Sequence, residues 1–266
     1  MRFTPTAFAG LLLVLLAFVS PWQPAVAAPA NGGGKAVRLS EARRATYMAA
    51  FEQHVMQTYI QSGLAATALP MDVYREALVG FYNLQRQGQV SGRRQVLTII
   101  DFSRSSRLKR LWVVDVQQQR VLFHTLVAHG KNTGEEFASA FSNQNGSEMS
   151  SLGFYVTGNT YQGKHGLSLK LNGQDPGYNT QAASRAVVVH GAEYVCEEFV
   201  RQHGRLGRSQ GCPALPANQS SAIIQAIKGR TVVYAHAPRG VRYQSSLQQL
   251  DPALLAFAQS KGLAEE

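Results

Sequence analysis

The sequence predicts an α+β fold: a helical N-terminal stretch, a sheet-rich middle and one last helix. Three observations carry this. Apolar residues recur at helical spacing between Ser40 and Gly88. From Val96 the pattern changes to short β-branched runs bounded by turn residues. Near the end, Asp251-Pro252 opens the segment DPALLAFAQSKG, where aspartate caps and proline fits the first turn of a helix.

The first residues carry a single charge, Arg2, then an apolar run from about Ala7 to Val19 and an Ala25-Val26-Ala27 cleavage pattern. This reads as a secretory signal peptide over residues 1–27, too short and too promptly followed by Pro21 and Pro24 for a membrane span. The chain has 26 basic and 16 acidic side chains, a net +10, and loss of Arg2 leaves it basic. An exported basic protein is drawn to an anionic polymer or surface, and export sets nucleic acid aside as partner. No stable membrane span is expected after cleavage, and the predicted location is the periplasm or cell envelope.

Residues 28–38, with Gly32 to Gly34 in the middle, have no periodicity and read as a linker. A helical extension follows over 39–92. Ser40 is placed to cap a first helix with Met48, Phe51, Val55, Tyr59 and Ile60 on one face, ending near Gly63. A second helix from about Asp72 presents Val73, Ala77, Leu78, Phe81 and Leu84 and stops near Gly88. Both are expected to pack on the edge of the domain. The main, sheet-rich domain spans 93–240. Its strands are VLTIIDF, LWVVDV and RVLFHTLVAHG, the last two joined by a hairpin at Gln117 to Gln119, then Gly153–Thr157, Leu167–Leu171, Ala186–Val189 and Thr231–Tyr234. The long polar loop Gly130–Ser151 is expected near the cleft, and 241–266 forms a C-terminal helical segment.

The chemistry concentrates in RAVVVHGAEYVCEEFVRQHGRLGRSQGCPA, residues 185–214. A buried strand delivers His190 at its end, a surface helix from Ala192 to near Gly204 follows, and a glycine-rich loop presents Cys212. The two residues are 22 apart, too far for a local zinc knuckle, yet able to meet if the loop folds back over the strand. A thiol of ordinary pKa near ~8.5 is mostly protonated at neutral pH, so a nearby imidazole is needed to activate it. Cys212 is the candidate nucleophile and His190 its base. The loop amides around Cys212 can form an oxyanion hole.

These residues resemble the L,D-transpeptidase (YkuD-like) catalytic domain. Its signature is His-Gly, then fourteen to seventeen residues, then Ser/Thr-x-Gly-Cys; here 17 residues separate Gly191 from Ser209. GRLGRSQGCPA is most similar to the murein L,D-transpeptidase branch, YkuD_2, and the likeness extends through VAHGKNTG, FSNQNGS, SSLGFY and GKHGLSLKLNG, from about Val96 to Tyr234. The resemblance implies a mixed β-sheet or sandwich catalytic domain, with no cofactor and no metal. It implies that Cys212 attacks the carbonyl of the third residue of a peptidoglycan stem, that His190 handles protons and that the Gly191 carbonyl orients the imidazole. Amides at Gln210, Gly211 and Cys212 would hold the oxyanion. Where many members have His before Gly-Cys and Asn or Arg two residues after it, this chain has Gln210 and Ala214.

Ser209, Arg208, His129, His165, Asn143 and Ser151 are candidates for substrate contact, each set against a plain structural reading such as local turn bonding. His54, His124, His203 and His236 read as packed or solvated imidazoles. Cys196 falls on the apolar face of the helix after His190, which predicts a buried free thiol rather than a disulfide. Three functions follow: transfer of the acyl group to a stem amine, its transfer to water, and a zinc site or inactive wall-binding module.

Overall fold

A computed structural model of the chain describes Met1 and residues 37–264. The expected signal peptide, apart from Met1, and most of the expected linker lie outside the described residues. Eight strands form one mixed sheet in the order β3-β2-β1-β8-β4-β5-β6-β7. They are β1 (Val96–Asp101), β2 (Leu111–Asp115), β3 (Arg120–Thr125), β4 (Gly153–Gly163), β5 (Gly166–Gly173), β6 (Val188–Ala192), β7 (Ala214–Pro216) and β8 (Val232–His236). The β1–β8 and β6–β7 pairs are parallel and the other pairs antiparallel.

Because strand side chains alternate between faces, the sheet sorts its apolar residues into two cores. On one face Leu97, Ile99, Trp112, Val114, Phe154, Val156 and Tyr234 pack against three helices: α1 (Glu41–Gln61), α2 (Met71–Arg86) and α5 (Leu250–Ser260). On the other, Ile100, Val113, Tyr155, Leu169, Val189 and Val233 meet Ile223, Ile224 and Ile227 of α4 (Ala217–Ile227).

The helices therefore cover a sheet face rather than brace an edge. Phe51 of α1, Tyr82 of α2 and Phe257 of α5 meet edge-to-face, with ring centroids 5.4–6.1 Å apart. Ser40 does cap α1, its Oγ accepting from the Arg43 amide at 3.4 Å. Ile60 is 63% exposed and does not belong to the buried face, which Tyr47 joins instead. Asp251 lies inside the first turn of α5, after the Gln249 cap, and pairs with Arg44 of α1 at 2.8 Å.

Two further differences bear on the site. His190 lies in the middle of β6, and the helix after it, α3, spans only Glu197–His203. Cys196 is that helix's N-cap, its Sγ accepting from the Phe199 amide at 3.4 Å, so it lies off the predicted apolar helix face; both cysteines are free. No described helix is long and apolar enough to cross a membrane.

Candidate active site

Strand β6 is buried along its length and carries His190 between two neighbours: β5 on one side and β7, whose Ala214 is its register partner, on the other. Cys212 precedes that partner by two residues, so the parallel pairing brings the end of the glycine-rich loop alongside β6. Gly191 is required for this. A Cβ there would lie 2.5 Å from Ser220 Oγ, so only glycine lets α4 close on the strand.

The His190 Nδ1–H donates to the Gly191 carbonyl at 2.9 Å, which leaves the Nε2 lone pair available. His165, from the β4–β5 turn, stacks on this ring with centroids 4.4 Å apart and planes 23° from parallel. The Cys212 Sγ accepts from the Val188 amide at 3.4 Å and donates to the Ala186 carbonyl at 3.7 Å. Cys212 and His190 line one cavity of about 630 Å³ together with His165, Ser209, Gln210 and Arg185. Among the described residues no direct hydrogen bond joins thiol and imidazole.

Burial dominates the electrostatics. It pushes the Cys212 thiol up, against the Val188 amide and the charges of Arg185 and Lys164, which favour the thiolate. It holds His190 below the ordinary imidazole value, helped by His165 and Lys164 and opposed by the Gly191 carbonyl. At neutral pH the site therefore holds a neutral thiol beside a neutral imidazole, not a preformed ion pair.

The loop that carries Cys212 is held by hydrogen bonds to backbone. Ser209 N–H donates to the His129 carbonyl at 3.0 Å and Lys131 N–H to the Ser209 carbonyl at 2.8 Å. Ser209 Oγ donates to the Cys212 carbonyl at 2.6 Å and accepts from Gly211 N–H at 3.1 Å. That last bond occupies the Gly211 amide within the loop. The amides of Gln210 and Cys212 have no partner among the described residues. Gly211 itself sits at φ +117°, and a Cβ on Gly130 would lie 2.8 Å from the Gly211 Cα, so both glycines serve close approach.

Of the six residues expected to touch substrate, Ser209 and His165 line the cavity. The other four are placed as supports. His129 is 1% exposed, with Nδ1 taken by Arg110 at 2.6 Å and Nε2 facing the Gly134 carbonyl at 3.2 Å. Arg208 turns away to the Lys131 and Gly134 carbonyls and Glu135. Asn143 bonds Thr180 and the Gln181 amide. Ser151 is buried, donating to the Ser142 carbonyl at 2.7 Å. All four bond neighbouring residues, and none of them lines the cavity. The long loop does reach the cavity, through Asn145, Gly146 and Glu148.

Arg185 is the residue that sequence reasoning missed. Its guanidinium binds the Ser142 and Met149 carbonyls, each at 2.7 Å, and the hydroxyls of Ser147 and Ser151, clamping the long loop beside the thiol. A lone arginine at the mouth of the apolar run before His190 was its signal. Tyr161, Lys164 and Tyr194 also line the cavity. No group of three or more His, Cys, Asp or Glu side chains gathers as metal ligands among the described residues.

The family model for the L,D-transpeptidase catalytic domain (YkuD_2) matches residues 65–236. Among solved structures, an L,D-transpeptidase from Mycobacterium smegmatis aligns at 13% identity over 54% of this chain and 59% of its own, with a TM-score of 0.34. The helical cell shape determining protein Pgp2 from Campylobacter jejuni aligns at 16% over 74% and 65%, TM-score 0.40. An L,D-transpeptidase from Stackebrandtia nassauensis aligns at 13% over 70% and 77%, TM-score 0.34. The chain spans about three fifths of the length of the Mycobacterium smegmatis structure. No curated protein matches by sequence. The family model covers well over half of the residues and includes both His190 and Cys212, and the chain belongs to the L,D-transpeptidase catalytic domain family.

Proposed function

We propose that this protein is an exported cysteine acyltransferase that cross-links peptidoglycan stem peptides, with Cys212 as nucleophile. The observation that carries the reading is the placement of a thiol and an oriented imidazole on the wall of one cavity large enough for a peptide. Cys212 gives up its bond to the Ala186 carbonyl, and His190 Nε2 takes its proton as Sγ attacks the carbonyl of the third stem residue. The amides of Gln210 and Cys212 receive the oxyanion. When the C–N bond breaks, its electron pair stays on the departing amine of the terminal D-residue, which collects the proton from His190. The product is a thioester.

An amine from a second stem then attacks that thioester. His190 takes the amine's proton and returns it to sulfur as the C–S bond breaks, leaving a new amide and the free thiol. Water in place of the amine gives a trimmed stem instead. Purified protein incubated with tetrapeptide muropeptides, with products sorted by mass, tests the reading. Cross-linked dimers that vanish with Cys212→Ala are expected. Trimmed monomers alone move the assignment to hydrolysis, and dimers formed equally by Cys212→Ala defeat it.

A further inference from the structure

The helical layer does not cover the whole sheet face. It ends at β4, where Phe154 and Val156 are packed under the helices, and leaves the same face of β5 open. There Val156 is the register partner of Asn172, and Lys170 lies two residues earlier on the same strand. The odd-numbered Leu169 and Leu171 point into the opposite core, so Ser168, Lys170 and Asn172 share the other face, where Lys170 and Asn172 are exposed and Ser168 is buried. Gln89, just past α2, and Arg230 close the other side of a groove of about 480 Å³. A bulge in β4 between Thr157 and Thr160 widens it, and Gly158 leaves room for the Asn172 amide.

This groove and the thiol cavity share no lining residue, but they lie along the same strand. Lys170 is the register partner of Val188, whose amide binds the Cys212 sulfur. Ser168, on the same strand face as Lys170, lines the thiol cavity. Tyr161 lines the thiol cavity and is 39% exposed, and Lys170, which lines the groove, holds its ammonium 5.9 Å from that ring's centroid. At about 3.3 Å per residue, Ser168 to Asn172 measures roughly 13 Å.

The lining selects the ligand. Asn159, Asn172, Gln174 and Gln89 are neutral amides that both donate and accept, Lys170 and Arg230 are cationic, and no carboxylate lines the groove among the described residues. Among those residues the side chains of Asn159 and Lys170 have no hydrogen-bond partner or ion pair. Paired donors and acceptors beside an exposed aromatic ring suit hydroxyl and acetamido groups on a sugar, whose C–H face can lie on Tyr161.

We propose that the open face of β5 is a second binding groove, for the polysaccharide strand that carries the peptide held at Cys212. The identity of that polymer rests on the peptidoglycan reading above. The test is titration of the full chain with soluble glycan strands from which all stem peptides have been removed. Saturable binding by the wild type is expected, at least tenfold weaker for Lys170→Glu/Asn172→Ala and weakened by Asn159→Ala, an exposed position on the bulge, with thermal unfolding checked for each. If the double variant fails to fold, the single one decides. No binding by the wild type, or equal binding by the folded variants, overturns the proposal. The probe carries no peptide and no bond is broken, so its failure leaves the cysteine chemistry standing. Absent acyl transfer alongside intact, variant-sensitive glycan binding would instead defeat only the chemistry.

Discussion

The two ends of this molecule are held together by different forces. Under the helices, Phe51, Tyr82, Phe257 and His54 form a packed aromatic cluster whose stability comes from buried area and edge-to-face contact. Around Cys212 the holding contacts are hydrogen bonds to backbone, with glycines admitting close approach and Arg185 clamping a loop. Packing is non-directional and tolerates small shifts, whereas hydrogen bonds fix orientation. Stability thus resides mainly in one region and geometry in the other, and perturbations should separate them.

The sharpest separation comes from His190→Ala. It should lower turnover by about a hundred- to ten-thousand-fold, as loss of a general base does, while leaving the folded state populated; steady-state kinetics with unfolding curves checks this. Phe51→Ala is the converse. Truncating a fully buried ring should reduce stability by about 3–5 kcal/mol with kcat retained below the new midpoint. A large drop in kcat at temperatures where this variant is folded would show that the two regions are coupled.

Acid should weaken both regions. His54 and His129 are buried, and burial brings each down to about 4 from an ordinary value of 6.5. Their stabilisation is fully present above pH 6.5 and is lost as pH falls towards 4, roughly 3 kcal/mol for each. Urea titrations at neutral pH and near pH 4.5 read the difference, and equal stabilities would contradict neutral burial. Arg185→Lys is expected to act mainly at the site. A lysine cannot reproduce the four bonds, so turnover should fall by about tenfold and stability by about 1–2 kcal/mol. The smallest effect concerns pH dependence. Because His190 is held below the ordinary imidazole value, it stays a base further into acid, and the acid limb of kcat/KM should lie below that value. A limb above it would contradict the neutral pair.

The same contrast explains what could be read from the sequence. α1, α2 and α5 were legible because a buried helical face repeats along the chain, as Phe51, Val55 and Tyr59 do. β1 to β3 were legible as β-branched runs. α4 was not, since its short stretch opens on Ala217-Asn218-Gln219 after Pro216 and shows only Ile223, Ile224 and Ile227 as its apolar signal. β7 is three residues long and is defined by its neighbours, β6 on one side and Ala128 on the other. At the site, His190 and Cys212 stood out by motif. The separate roles of His165 and His129, both followed by glycine, depended on which ring faces the cavity and which is locked by Arg110, a matter of tertiary contact. The occupied Gly211 amide was invisible for the same reason.

The most direct test of the central claim is the intact mass of the protein caught during turnover of a tetrapeptide stem. We expect a covalent adduct equal in mass to the stem less the released terminal D-amino acid, mapped to Cys212 and missing in Cys212→Ala. Product formation with no adduct, or an adduct carried by Cys196 or any other side chain, would contradict a thioester at this position.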